Sequence, residues 1–353
     1  MKEFTYTGHP ARVVFGSGTV RQIASEVERL GCKRALVLST SHQAHEAVAL
    51  SRLLGHLAVG RFTSAEIHTP VAVTQRAVET ADEVKADCLV AIGGGSAIGL
   101  GKAITLHRKL PQIAVPTTYA GSEMTPILGQ TDNGLKTTIR NTSLLPKAVI
   151  YDVNFTLSLP PALSATSGMN AMAHAVEALY AKDGNPVISM LALEAIRALS
   201  DSLPAIMKDP SDVEARTKAL YGAWLCGIAL GTTGMALHHK LCHTLGGSFN
   251  LPHSETHTVV LPHAAAFNAP AVGGALDKVA EILGAKQPGD GLYEFARMIG
   301  APVGLKEIGM PEDGLDQAAE IATQNPYWNP RPFTKQQIRS LLDDAYFGRP
   351  PSN

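Results

Sequence analysis

An excess of charge of either sign is missing from this chain. Among its 353 residues, 30 Lys and Arg stand against 31 Asp and Glu, for a formal net charge of −1. No general field therefore draws it onto a nucleic acid or an anionic membrane, and attraction for an anion must be local. Cysteine is scarce too. Cys32, Cys88, Cys226 and Cys242 show no CxxC spacing and are too few for a disulfide framework, which argues against a thiolate metal cluster and for a reducing compartment. No run reaches about 18 apolar residues and residues 1–18 hold no apolar h-region, so a soluble, cytoplasmic protein is expected. Internal repeats, charge blocks and low-complexity tracts are also missing.

What is present is an ordinary globular balance, 45% hydrophobic and 17% charged, at a length that suits two domains. Val13–Phe15, Ala35–Leu38, Cys88–Ile92 and Ile113–Val115 are short apolar runs bounded by turn residues, the pattern of strands buried on both faces. Amphipathic segments lie between them: Thr19–Leu30 after a glycine turn, and Val71–Lys85 after Thr69-Pro70. Strand and helix in alternation predict a parallel, Rossmann-like sheet with crossover helices in an N-terminal α/β domain, residues 1–157. Beyond Leu159-Pro160-Pro161 the chain is rich in Ala, Leu and Met at helical spacing. Ser164–Ala181, Pro186–Leu203, Val213–Leu230, Gly234–Leu245, Gly291–Ile299 and Thr334–Phe347 read as helices of an all-α domain, residues 158–353.

Gly93-Gly94-Gly95-Ser96 follows a predicted buried strand and opens a helix. Glycines let the backbone approach a phosphate, and a helix start offers N–H donors to it. Ser96 and Ala103 stand where a Walker A loop needs glycine and Ser or Thr, and the run is no clean GxGxxG, so a nucleotide pyrophosphate at the carboxyl edge of the sheet is the better reading. Thr117 and Thr118, after the next strand, would open at the same edge. In the helical half, Asn170 and His174 share a helix face at i, i+4, and His239 and His243 repeat that spacing. Gly246-Gly247 is expected to end the second helix before His253. Two polar pairs plus His253 are costly to bury without use. They point to a metal site, although Asn170 is a neutral, weak ligand. His238 and His257 read as bystanders, the former because neighbours on a helix point apart.

These motifs, with Pro116–Pro126, Ala11–Gly16 and Asn329-Pro330-Arg331-Pro332, resemble the ordered motifs of the iron-containing alcohol dehydrogenase superfamily from about Thr5 to Gly348, and within it the maleylacetate reductases. The resemblance implies the dehydroquinate synthase-like fold of that superfamily, an NADH- or NADPH-dependent oxidoreductase, and a homodimer. Metal-dependent members carry an aspartate four residues before a histidine, then two histidines separated by fourteen. His174, His239 and His253 keep their places, but Asn170 replaces the aspartate, which predicts that no metal is required. Thr40 stands where an NAD-selective member would place an aspartate on the ribose, so either cofactor is expected.

Reduction of maleylacetate, a dicarboxylate with an alkene conjugated to a ketone, passes through an enolate. An enolate is less basic than an alkoxide and can be held by hydrogen bonds or an imidazolium. The reading assigns His243 or His253 as donor, and Asn170, His174 and His239 to orientation. Gly93, Gly94, Gly95, Ser96, Thr117, Thr118, Thr40 and Lys136 are the cofactor candidates, and Lys240, Lys136 and Arg331 the cationic candidates for the substrate carboxylates. The competing readings are a metal-dependent alcohol or polyol dehydrogenase of the same superfamily, a phosphate-eliminating lyase similar to dehydroquinate synthase, and a catalytically silent nucleotide-binding regulator.

Overall fold

The computed structural model describes residues 3–9, 12–132 and 135–352; Leu135 and Lys136 are described by their backbone alone. Two compact units are present, Gly8–Leu159 and a second made of Met1–Thr7 with Pro160–Asn353.

The first unit is built on a six-stranded parallel sheet. Its strands are β1 (Arg12–Phe15), β2 (Ala35–Leu38), β3 (Ala58–Phe62), β4 (Cys88–Gly93), β5 (Gln112–Pro116) and β8 (Ala148–Tyr151), in the order β1-β8-β5-β4-β2-β3. β2, β4, β5 and β8 are buried along their whole length, as their apolar sequence requires, with Gln112 at the start of β5 the buried polar exception. The crossovers are α1 (Ile23–Arg29), α2 (Ala44–Leu54), α3 (Val71–Glu83) and α4 (Gly95–Arg108). An antiparallel pair, β6 (Ile127–Asp132) and β7 (Leu135–Arg140), is inserted between β5 and β8. Periodicity predicted four of the parallel strands. It passed over β8, although that strand is apolar and buried throughout, and also α2, β3 and the inserted pair, where half-exposed residues mix polar with apolar side chains.

Register decides what this sheet can bind. Leu38 pairs with Ala91, and Gly93 pairs with Pro116, so β2, β4 and β5 end side by side. Chain order turns between β2 and β4: β3 lies to one side, and β5 and β8 lie to the other. That is a topological switch point, where the loops leaving neighbouring strands part and open a crevice.

The second unit is helical: α5 (Pro161–Ala178), α6 (Pro186–Lys208), α7 (Val213–Thr232), α8 (Leu237–Phe249), α9 (His253–Asn268), α10 (Asp277–Ile282), α11 (Pro288–Met298), α12 (Leu315–Thr323) and α13 (Lys335–Phe347). Their starts follow from sequence. Asn185 caps α6, whose first residue is Pro186; Asp212 caps α7; and Thr334 with Gln337 closes a capping box on α13. Gly246-Gly247 does not end α8. The helix runs through both glycines to Phe249 and stops where Asn250 adopts a left-handed φ of 52°. Leu241 and Leu245 pack that end of α8 into the same core as Val260 of α9, which outweighs the glycines' helix cost.

Cys32 and Cys88, far apart in sequence, come together with Asp87 within 4.8 Å. Burial raises both thiols, and Asp87 accepts from the backbone N–H groups of Lys33 and Arg34, so the group ties β2 to β4 as protonated thiols rather than as metal ligands.

One close approach in α4 is demanding. A Cβ on Gly101 would fall 2.6 Å from Cδ of Gln112, whose buried amide donates to the Ile98 carbonyl at 3.1 Å. We expect Gly101→Ala to destabilise the protein by roughly 1–3 kcal/mol through overpacking against β5. A denaturant titration checks this, and an unchanged midpoint would mean that Gln112 swings clear.

Candidate functional site

In the sheet unit, the cofactor candidates gather at the carboxyl ends of β2, β4 and β5. Thr40 follows β2 and hydroxyl Oγ1 donates to Gln43 Oε1 at 3.5 Å, while the Gln43 amide donates to Thr117 Oγ1 at 2.9 Å. Gly93 has φ +145°, and a side chain there would run into Gln43. At Gly94 a Cβ would press on Thr118, at 3.0 Å from Oγ1, whereas at Gly95 it would meet open space. Backbone N–H groups at the start of α4 are thus bare of side-chain cover, with Ser96 and the Thr117-Thr118 hydroxyls beside them. This arrangement fits a dinucleotide pyrophosphate. The Lys136 side chain lies outside the described residues.

Lys102 lies in the middle of α4. It is fully buried, and its ammonium donates to the Ser122 carbonyl (2.6 Å), Thr125 Oγ1 (2.9 Å) and the Ile127 carbonyl (2.9 Å). Burial draws its pKa down to about 7, against the opposing charge of Glu123. Three acceptors match the three hydrogens of an ammonium, so this lysine pins the 122–127 stretch that follows Thr117 and Thr118. Burial raises the Glu123 carboxyl, which accepts from the Tyr151 hydroxyl at 2.8 Å.

The helical unit gathers six imidazoles. Asn170 and His174 lie on α5, His238, His239 and His243 on α8, and His253 and His257 on α9. Ring centroids of His174 and His239 are 5.2 Å apart, His239 and His257 5.0 Å, His239 and His243 6.0 Å, and His253 and His257 4.2 Å. The four predicted histidines of this half, His174, His239, His243 and His253, therefore come together, with Asn170 one turn before His174 on α5. Two expectations need correcting. His238 is not turned away, since its Nδ1 lies 3.3 Å from Nδ1 of His239, and its Nε2 donates to the His257 carbonyl at 2.9 Å. His257 is not a bystander either. Its ring nitrogens converge with those of His174 and His239 within 4.8 Å, because α9 starts at His253 and carries His257 one turn further in.

A residue of this unit escaped the sequence reading. Glu177, one turn beyond His174 on α5, is fully buried. Its carboxylate accepts from the backbone N–H groups of Ala236 (2.9 Å) and His238 (2.8 Å) and from His239 Nδ1 (2.7 Å). Burial alone would raise its pKa, but the His239 hydrogen bond, the neighbouring histidines and the Ala236 N–H hold it below the ordinary carboxylate value. An acidic group at the i+3 position after a histidine was the available signal.

Around the cluster, His243 Nδ1 lies 2.8 Å from the Tyr327 hydroxyl. Lys240 and Arg331 are engaged elsewhere: Lys240 donates to the Gln324 carbonyl at 2.9 Å, and Arg331 donates to the Phe267 carbonyl at 2.7 Å while lying over the Phe267 ring. Asn329 of the same segment exchanges hydrogen bonds with Asn268 and accepts from the Leu237 N–H, so this segment braces the start of α8.

The cluster can be tested against a metal. Asn170 Oδ1, His174 Nδ1, His239 Nε2 and both nitrogens of His257 are buried without a hydrogen-bond partner. These are neutral donors. Among the described residues, the one three-ligand group at these histidines that contains a carboxylate is Glu177 with His238 and His239, and that carboxylate is engaged on the Nδ1 side of His239. His174, His239 and His257 offer three neutral nitrogens within 4.8 Å of one another, a set without the anionic ligand of an iron site built on an aspartate.

Burial, and the mutual proximity of these rings, pull His174 and His257 well below the ordinary histidine value, and burial takes His238 and His263 down to about 4. The folded state thus binds these protons less readily than the unfolded chain. Stability is complete above pH 6.5 and is lost as the pH falls toward 4, by about 1.4 kcal/mol per pH unit for each such group. We expect the thermal midpoint to drop steeply between pH 6.5 and 4.5. A flat profile over that window, followed by circular dichroism, would contradict buried neutral imidazoles.

Comparison with known proteins places these geometries in context. Residues 10–153 match the model of the iron-containing alcohol dehydrogenases, and residues 164–346 match the C-terminal part of that family. A maleylacetate reductase of Rhizobium sp. (strain MTP-10005) is 56% identical over 351 residues, covering 99% of this chain and all of that one. One from Burkholderia cepacia is 51% identical over the full length of both. The crystal structure of maleylacetate reductase from Agrobacterium tumefaciens superposes with a TM-score of 0.97 at 55% identity, covering 99% of this chain and all of that one. With a parallel-sheet unit, a helical unit and family matches across both, the chain belongs to the iron-containing alcohol dehydrogenase family.

Proposed function

We propose that this chain reduces the conjugated C=C bond of maleylacetate to 3-oxoadipate with NADH or NADPH, and that it does so without a metal ion. The substrate rests on the relatives named maleylacetate reductase at 51–56% identity over essentially the whole chain. The observation that carries the metal-free mechanism is the buried neutral set of Asn170 Oδ1 with the ring nitrogens of His174, His239 and His257.

Gly93, Gly94, Gly95 and Ser96 hold the pyrophosphate at the start of α4, with Thr117 and Thr118 beside it and Thr40 toward the adenosine ribose. When bound, the nicotinamide supplies the hydride that adds to the alkene carbon β to the ketone. Negative charge then develops on the ketone oxygen, where N–H donors of the histidine cluster stabilise the enolate. Such neutral donors suffice because an enolate is a far weaker base than an alkoxide. His243 delivers the proton to the α-carbon; it is only partly buried, and Tyr327 fixes its ring. His253, exposed at the start of α9, is the second candidate. Asn170, His174 and His239 orient the substrate. Assembly as a homodimer and a cytoplasmic location enter this proposal from the family resemblance alone.

Purified protein should oxidise NADH or NADPH on addition of maleylacetate and keep that rate after exhaustive EDTA treatment and gel filtration. Loss of the rate on chelation, restored by Fe²⁺ or Zn²⁺, would instead support the metal-dependent alcohol dehydrogenase reading. For the cofactor, Thr40→Asp should shift the kcat/KM ratio toward NADH by about 10-fold or more, since a carboxylate binds the ribose diol and repels a 2′-phosphate. An unchanged ratio would place the ribose away from Thr40.

A further inference from the structure

We propose that Glu177 is a positioning residue that fixes the tautomer of His239, so that this imidazole presents a bare Nε2 to the histidine cluster. The proposal rests on the reading that this cluster handles the substrate, but its geometry stands apart from that reading. Each atom around Nδ1 of His239 demands a hydrogen there. Glu177 Oε2, at 2.7 Å, belongs to a carboxylate already accepting from the Ala236 and His238 N–H groups, and a carboxylate can only accept. His238 Nδ1, at 3.3 Å, is also an acceptor, because the other nitrogen of that ring donates to the His257 carbonyl, and a carbonyl has no hydrogen to give. The opposite tautomer would set lone pairs face to face in a fully buried site, leaving a carboxylate oxygen short of a donor.

The other end of the ring follows from this. With the single hydrogen of the imidazole held at Nδ1, Nε2 keeps its lone pair; it is buried, without a hydrogen-bond partner, and converges with a ring nitrogen of His174 and of His257. It accepts a hydrogen bond and does not donate one. His239 therefore orients a neighbouring N–H or a substrate hydroxyl tautomer, while the donor hydrogens of the cluster come from the other rings. Burial and the two backbone N–H bonds hold the Glu177 carboxylate in place, so the acceptor that faces Nδ1 of His239 is fixed by the start of α8.

The test is long-range ¹H–¹⁵N spectroscopy of protein labelled at histidine, with His239 assigned by difference from His239→Gln. In the resting wild-type protein Nδ1 should have the protonated, pyrrole-type shift and Nε2 the pyridine-type shift. Glu177→Gln, which can turn an amide N–H toward Nδ1, should reverse or mix the two and lower kcat by about 10-fold or more with little change in the KM for the nicotinamide cofactor. Glu177→Asp keeps an acceptor-only group and should restore the wild-type tautomer even where stability falls. Wild-type His239 protonated at Nε2, or an unaltered tautomer in folded Glu177→Gln, overturns the proposal. If Glu177→Gln fails to fold, the wild-type spectrum alone decides. Failure of the maleylacetate assay with the expected wild-type spectrum would sink the functional reading and leave the positioning role intact.

Discussion

A buried carboxylate on α5 sets where α8 begins. The first N–H groups of any helix lack partners within it, and at Ala236 and His238 these orphans are satisfied by Glu177 rather than by water or a local cap. Since Glu177 lies one turn past His174, the interaction also sets His239 against His174. α9 completes the arrangement by starting at Pro252-His253, which turns His257 toward both rings. One anion thus ties α5 to the start of α8, and His238 carries the link on to α9 through the His257 carbonyl.

The sheet unit uses a charge of opposite sign for a comparable purpose. Lys102 sits in the middle of α4 with no exposure, an expensive place for an ammonium unless every hydrogen is used. Its acceptors are all on the stretch from Ser122 to Ile127, so α4, which begins at the glycine turn, and the chain that leaves β5 through Thr117 and Thr118 are bound into one piece. Hydroxyls that meet a phosphate, as proposed for Thr117 and Thr118, gain from being fixed beforehand.

The legible parts of this molecule are those where a short-range pattern and the tertiary contacts demand the same thing. β2 and β4 are apolar throughout, and β5 from Ile113 on, because both faces are covered, and the glycine turn is visible because Gly93 needs a backbone conformation that other residues resist. Asn170 with His174 and His239 with His243 were readable as helix-face pairs. The errors share one cause, the use of local rules where long-range packing decides. Helical geometry does separate neighbouring side chains, yet His238 and His239 are both enclosed because α5 and α9 cover α8 from different sides. His257 was set aside since α9 was not foreseen, and Gly246-Gly247 passed for a stop because the burial of Leu241 and Leu245 is invisible in a glycine pair. Arg331 illustrates the converse: a motif cation free in the sequence is held by Phe267 in the fold.

Replacement of the family's aspartate by Asn170 is best understood together with the nitrogens around it. An aspartate there would be an anion buried among imidazoles that burial keeps neutral, and without a metal it would either take up a proton or force one onto a neighbouring ring. An amide avoids both outcomes. It adds no charge beside His174 and His257, and in the proposed reaction the dipoles that would stabilise an enolate are then in place before its charge develops. Glu177 is tolerated in the same interior because three hydrogens already point at it and none of its lone pairs is asked to ligate a cation. The two positions on α5 therefore differ in kind: the carboxylate at 177 supports the helix start and the ring of His239, whereas position 170 carries an amide whose Oδ1 is buried without a hydrogen-bond partner, and a neutral side chain there is what the proposed metal-free reduction calls for.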